Sequence, residues 1–141
     1  MTIEFFMPMQ PPTITHQEKK IRTSKGRPVV YEPPELKEAR AKLTAHLAQY
    51  APAEPMQAPV AITAIWCFAA DRNHAHGTPK TTKPDIDNMQ KLLLDCMTKV
   101  NFWHDDSVIA SANFQKWWSD VPGIYIKVER MECVRDGSIA N

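Results

Sequence analysis

Apolar residues recur along this chain with two different periods, and the switches between them mark its elements. Residues 2–7 (Thr-Ile-Glu-Phe-Phe-Met) read as a strand, stopped by the prolines at 8, 11 and 12. Residues 13–28 are polar and basic and contain Gly26, which predicts a mobile loop or a long hairpin arm; a short strand follows at 29–31. Pro33 and Pro34 lead into a helix over about 35–50, where Leu36, Ala39, Leu43 and Leu47 recur at three- and four-residue spacing. A Pro/Ala linker (51–59) precedes ten nearly continuous apolar residues at 60–69, the pattern of a well-buried strand. A second polar loop (71–82) is followed by a helix over about 84–100, with Pro84 at its first position. Its apolar stripe is Ile86, Met89, Leu93, Cys96/Met97 and Val100. After a turn at 101–106, two strands at about 107–117 and 123–131 flank the turn-forming Ser-Asp-Val-Pro-Gly at 119–123. The order β-β-α-β-α-β-β predicts a single α+β domain over 1–141: a mixed or antiparallel sheet carrying two main helices, with residues 132–141 as a disordered tail.

Composition narrows the setting more than the function. A chain of 141 residues buries a real core. No apolar run approaches the ~20 residues of a membrane span, and the Met1-Thr2-Ile3-Glu4 start lacks the pattern of a secretory signal. Cys67, Cys96 and Cys133 are odd in number, show no metal-type spacing and sit among apolar neighbours. They read as reduced, buried fillers, which predicts a cytoplasmic protein with no membrane partner. The net charge of +1 does not advertise a nucleic-acid binder. Its distribution says more: residues 16–42 hold Lys19, Lys20, Arg22, Lys25, Arg27, Lys37, Arg40 and Lys42 against four glutamates, while acidic residues gather over 85–106. A basic arm and an acidic pocket can average to neutrality in a metal-dependent nuclease; a solvated loop and helix face accounts for the same charges.

The stretch Lys83-Pro84-Asp85-Ile86-Asp87-Asn88-Met89-Gln90-Lys91, followed by Asp105-Asp106, carries the chemistry. At about 100° per residue, Asp87 and Lys91 lie one turn apart, away from the apolar stripe. Asp85 stands at the helix mouth, and the chain returning through Asp105 and Asp106 brings a third carboxylate towards the first two. Phosphodiester hydrolysis builds charge on phosphoryl and leaving oxygens, and carboxylates holding one or two Mg²⁺ ions meet that need. Lys91 would contact the scissile phosphate or position the attacking water. Each part also has an ordinary structural explanation. Aspartates in a first turn meet the helix dipole favourably, Asp105-Asp106 before a strand is common turn chemistry, and Asp87 with Lys91 makes a surface i,i+4 pair.

These residues resemble the core of the RusA-type Holliday junction resolvases: a basic or Lys-Pro lead-in, Asp-x-Asp-Asn, a lysine three residues on, and Asp-Asp after an aromatic-containing turn. Here they are Lys83-Pro84, Asp85-Ile86-Asp87-Asn88, Lys91, and Phe102-Trp103-His104-Asp105-Asp106. The alternating Ile124-Tyr125-Ile126-Lys127-Val128 is similar to the family's last hairpin, and Pro11-Pro12-Thr13 extends the likeness weakly to the first strand. The resemblance implies an α+β homodimer that binds four-way DNA junctions. It implies paired symmetric nicks with Mg²⁺ or Mn²⁺, leaving 5′-phosphate and 3′-hydroxyl ends. By position, Asp85, Asp87 and Asp106 match metal-binding carboxylates, Asp105 is adjacent to them, and Lys91 matches the catalytic lysine. The chain departs from the pattern at His16, where many relatives carry Asn, and in the loop 71–82 with His74 and His76.

Lys19, Lys20, Arg22, Lys25 and Arg27 are the preferred DNA-backbone contacts, joined by Lys80, Lys83 and Lys116. Trp117 and Trp118 point in opposite directions along a strand, so at least one faces the core. His74, His76 and His104 read as ordinary loop and turn residues. Two other functions remain open at this point: a metal phosphoesterase acting on other DNA structures or small phosphate esters, and a branched-DNA-binding protein without catalysis. Several acids near phosphate would gain a pure binder nothing.

Overall fold

The apolar run at 60–69 becomes the strand around which the rest assembles. In the computed structural model, which describes residues 1–15, 20–24 and 26–133, the elements are β1 (Thr2–Pro8), β2 (Lys20–Ser24), β3 (Arg27–Tyr31), α1 (Pro34–Ala48), β4 (Val60–Ala69), α2 (Ile86–Lys99), a 3₁₀ turn (Asp106–Val108), β5 (Ile109–Ser119) and β6 (Gly123–Arg130). Four strands form a mixed sheet in the order β1-β6-β4-β5, and β2 and β3 form a separate antiparallel ribbon. β6 runs antiparallel to both β1 and β4, whereas β4 and β5 are parallel. The parallel pair needs a crossover, and α2 supplies it. The fold is therefore the expected α+β class with one more strand, β2.

That extra strand explains the segment 13–28. Lys20 pairs with Tyr31 and Ser24 with Arg27 around Gly26, whose φ of 77° suits a tight turn that glycine enters without strain. The hairpin form of the expectation holds. The segment lacks an apolar alternation because the ribbon is not part of the main sheet.

One face of the main sheet carries the core. Val60, Ile62, Ala64, Trp66 and Phe68 are buried while the alternate residues of β4 are only partly so. They meet Leu36, Leu43 and Leu47 of α1, Met89, Leu92, Leu93, Cys96 and Met97 of α2, and Ile124, Ile126 and Val128 of β6. The continuous apolar run predicted a well-buried strand, and β4 is that on the side shared by both helices, while the opposite face shows Ile65 and Cys67 half-buried.

The ends of α2 decide where its chemistry sits. The helix starts at Ile86, not at Pro84: Asp85 holds the N-cap position with extended φ −73° and ψ 147°, and the buried Pro84 precedes it. Ile86 consequently leaves the apolar stripe and is 36% exposed, because a first-turn side chain leans towards the open N-terminal end. At the other end, Asn101 takes a left-handed φ of 66°. The N–H of Asn101 then donates to Thr98 O at 3.0 Å and that of Phe102 to Met97 O at 3.1 Å, the paired bonds of a Schellman stop. This reversal drives Phe102 and Trp103 into the core, where both are fully buried. Trp103 donates its indole N–H to Thr98 Oγ1 at 2.7 Å. The chain is thereby committed to return alongside α2.

Among the cysteines, Cys96 is buried and Cys67 half-buried, and burial raises both thiol pKa values. Cys133 is exposed, contrary to the expectation of three buried thiols, because it follows the last strand. Residues 134–141 of the expected tail lie outside the described residues.

Candidate active site

An aspartate at an N-cap normally spends its carboxylate on the free N–H groups of the first turn. Asp85 does not. Its backbone carbonyl accepts the Met89 N–H at 3.0 Å, but its side chain makes no capping bond and is exposed. Asp87 and Lys91 are exposed one turn apart on the same helix, as their spacing requires. Neighbouring Asn88 points inward and is 9% exposed. The helix thus presents Asp85, Asp87 and Lys91 to solvent while Asn88 and Met89 anchor it.

The return chain brings Asp106 to the flank of this helix. Asp105 is extended (φ −150°, ψ 142°) and Asp106 opens the 3₁₀ turn that leads into β5. Asp106 lines a cleft of about 300 Å³ together with Gln90 and Leu94 of α2 and the start of β5. Gln90 and Leu94 lie on the Asp87–Lys91 side of the helix, three or four residues apart. Among the described residues, none of Asp85, Asp87, Asp105 and Asp106 has a side-chain hydrogen bond or an ion pair. Four exposed carboxylates without protein partners are an all-oxygen donor set, the chemistry that suits Mg²⁺ and not zinc. They are not gathered into one cluster: among the described residues, no group of three or more His, Cys, Asp or Glu is placed to hold a metal ion. The donor chemistry fits a hard cation; the present side-chain arrangement does not itself form a three-carboxylate cage.

Two residues assigned to DNA on sequence grounds make contacts within the protein. Lys80 is 7% exposed, with its ammonium 4.1 Å from the centre of the Trp118 ring, 5.0 Å from that of Phe68, and 2.7 Å from Thr82 Oγ1. Burial, and secondarily the charge of Lys116, lowers its pKa. A polar loop containing a lysine looks solvated in sequence, but the aromatic pair on the sheet gives this ammonium a place to be buried. Lys116 donates to the carbonyls of Thr82 (2.6 Å) and Pro84 (2.7 Å), so it too is engaged within the protein. Arg27 and Lys83 are exposed, as a phosphate contact needs. Lys19 and Lys25 lie outside the described residues, as do the side chains of Lys20 and Arg22.

The histidines do not form a metal pair. His74 stacks on Trp118 with ring centres 4.0 Å apart and meets Asp71 through Nδ1 at 3.0 Å. That contact, with the Asn73 N–H, holds the Asp71 carboxyl below its usual pKa. His76 Nδ1 accepts the Asp120 N–H at 2.9 Å. His104 is exposed. Trp118 packs against the core while Trp117 bonds Gln115 from the opposite face, as strand alternation predicted.

An α+β domain with unpaired carboxylates and a lysine at one helix mouth places the chain among the candidates for phosphodiester cleavage. Comparison with known proteins makes the class definite. The family model described as Endodeoxyribonuclease RusA matches residues 8–129. The chain belongs to this family of Holliday junction resolving endonucleases. A crossover junction endodeoxyribonuclease rusA from Lactococcus phage r1t is 30% identical over 111 residues, covering 77% of this chain and 83% of the phage protein. Among the described residues, no helix is long and apolar enough to cross a membrane.

Proposed function

We propose that this chain is a Mg²⁺-dependent endonuclease that resolves four-way DNA junctions by paired symmetric nicks, leaving 5′-phosphate ends. The observation that carries the reading is the set of exposed, unpartnered carboxylates at Asp85, Asp87 and Asp106 within a chain matched by the family over residues 8–129. Asp85, Asp87 and Asp106, with Asp105 beside them, are the residues to hold Mg²⁺, or Mn²⁺ in its place. Bound there, the cation would neutralise charge developing on the scissile phosphate. Lys91 projects one turn from Asp87 and supplies a fixed positive charge for a phosphoryl oxygen. Lys83 and the exposed Arg27 on the β2–β3 ribbon, with Lys19, Lys20, Arg22 and Lys25, supply the salt-sensitive grip on the DNA backbone. A homodimer suits the substrate, because an isologous pair places two sites on the symmetry-related strands of a junction. A cytoplasmic location follows from work on DNA.

The alternative of a branched-DNA-binding protein without catalysis has one observation in its favour, the absence of an assembled three-acid cluster among the described residues. A substrate panel separates the readings. The protein is incubated with a four-way junction, a flap, a single strand and a linear duplex, each in Mg²⁺ and in EDTA. Cleavage confined to the junction and to Mg²⁺ supports the resolvase; junction binding without cleavage under every metal condition supports the binder. The mass in solution by light scattering tests the dimer.

A further inference from the structure

The segment before Asp85 is held by an unusual device. After leaving β4, the chain runs back along the exposed edge of β5 and pairs with it: Gly77 N–H donates to Trp118 O (2.9 Å), Trp118 N–H to Thr78 O (2.9 Å), and Lys80 N–H to Lys116 O (3.0 Å). Beyond Lys80 this backbone pairing ends. What continues the attachment is a side chain: the Lys116 ammonium binds the carbonyls of both Thr82 and Pro84. These are charge-assisted bonds, stronger than neutral ones. They grip the backbone on both sides of Lys83, and the second lies on the residue immediately before Asp85.

We propose that Lys116 is a positioning residue that fixes the approach of the chain to Asp85 and thereby aims this carboxylate at the cleavage site. The inference rests on the nucleolytic reading of Asp85 given above. Asp85 has no capping bond of its own, so its direction depends on the backbone that leads into it. The β5 strand, hydrogen-bonded to β4 along its length, is the rigid element from which Lys116 reaches out. Lys80 supports the same strut, since its ammonium holds the Thr82 hydroxyl while Lys116 holds the Thr82 carbonyl. Both lysines are thus withdrawn from the DNA-contact set and joined to the machinery that orders residues 77–85.

The test compares Lys116→Met, Lys116→Gln, Lys116→Arg and Asp85→Asn in the full chain. Lys116→Met should slow junction cleavage roughly tenfold to a hundredfold at saturating Mg²⁺. Junction affinity in EDTA should change less than about twofold, because no phosphate contact has been lost. Lys116→Arg, which keeps a charged donor, should recover most of the rate. Hydrogen–deuterium exchange should quicken over residues 81–87 and not in β4 or β6. If Lys116→Met does not fold, Lys116→Gln carries the same comparison. Unchanged cleavage, or unchanged exchange over 81–87, overturns the inference. So does an equal fall in binding and cleavage, which would return Lys116 to DNA contact. Asp85→Asn separates this failure from that of the site: cleavage at the normal rate by Asp85→Asn means that Asp85 is not part of the site, whatever Lys116 does.

Discussion

A side chain without a hydrogen-bond partner keeps its full capacity for a ligand, and residues 85–106 concentrate such side chains. Lys91 is exposed one turn from Asp87, and among the described residues no ion pair holds it. Lys91→Ala should lower single-turnover junction cleavage by about tenfold or more, while changing junction affinity little; equal losses in both would recast Lys91 as an anchor. The cysteines offer a check on the packing. Burial raises the pKa of Cys96 and of Cys67, and a protonated thiol is a poor nucleophile. Exposed Cys133 should react first with a thiol reagent at neutral pH, Cys67 more slowly, and Cys96 only on unfolding, as peptide mapping would read. Rapid modification of Cys96 in the native protein would contradict the core described here. The carboxylates and Lys91 could be read from their spacing, since helical periodicity fixes which residues share a face. Lys80 could not, because its burial depends on Phe68 and Trp118, which arrive from other strands.

At the scale of elements, the strong periodic segments were the legible ones. Helix α1 and strands β4 and β6 carry patterns that packing obeys, since Leu36, Leu43 and Leu47 on one side and Ile124, Ile126 and Val128 on the other form one core. The expected final hairpin does not form, because β4 lies between β5 and β6 and pairs with both. Strand β2 was legible only as one arm of a possible hairpin, because its pairing with β3 comes from a Gly26 turn and not from an apolar face. The start of α2 was placed two residues early because Pro84 is as acceptable before a cap as inside a first turn. One contact between elements has a sharp consequence. A Cβ at Gly123 would collide with the Phe6 ring and come within 2.5 Å of Met7 O. The ring has some freedom to turn, but the backbone carbonyl is fixed by β1–β6 pairing. Gly123→Ala should therefore destabilise the protein by about 1–3 kcal/mol, as overpacking does, measured by denaturant unfolding. An unchanged midpoint would show that this junction of β1 and β6 yields easily.

The whole molecule joins two surfaces of opposite character. The helix mouth and the turn at 105–106 present acids, and Arg27 of the β2–β3 ribbon and Lys83 present cations. Their charges nearly cancel, which is why the net charge of +1 conceals a DNA-processing family member. What sequence alone could not supply was the mutual placement of the acids. Asp106 reaches the flank of α2 only because Asn101 ends the helix and Phe102 and Trp103 are pulled into the core. The central claim is that this carboxylate group cuts junction DNA. Its most direct test follows wild-type protein and Asp87→Asn on a four-way junction labelled in each strand in turn, with Mg²⁺ or EDTA, beside gel-shift binding of the same junction. The account predicts symmetric nicks by the wild type in Mg²⁺ alone. It predicts that Asp87→Asn keeps its fold and its junction affinity but cleaves slower by on the order of 10²-fold or more, consistent with several kcal/mol of metal-assisted charge stabilisation. Cleavage by Asp87→Asn at the wild-type rate would contradict it.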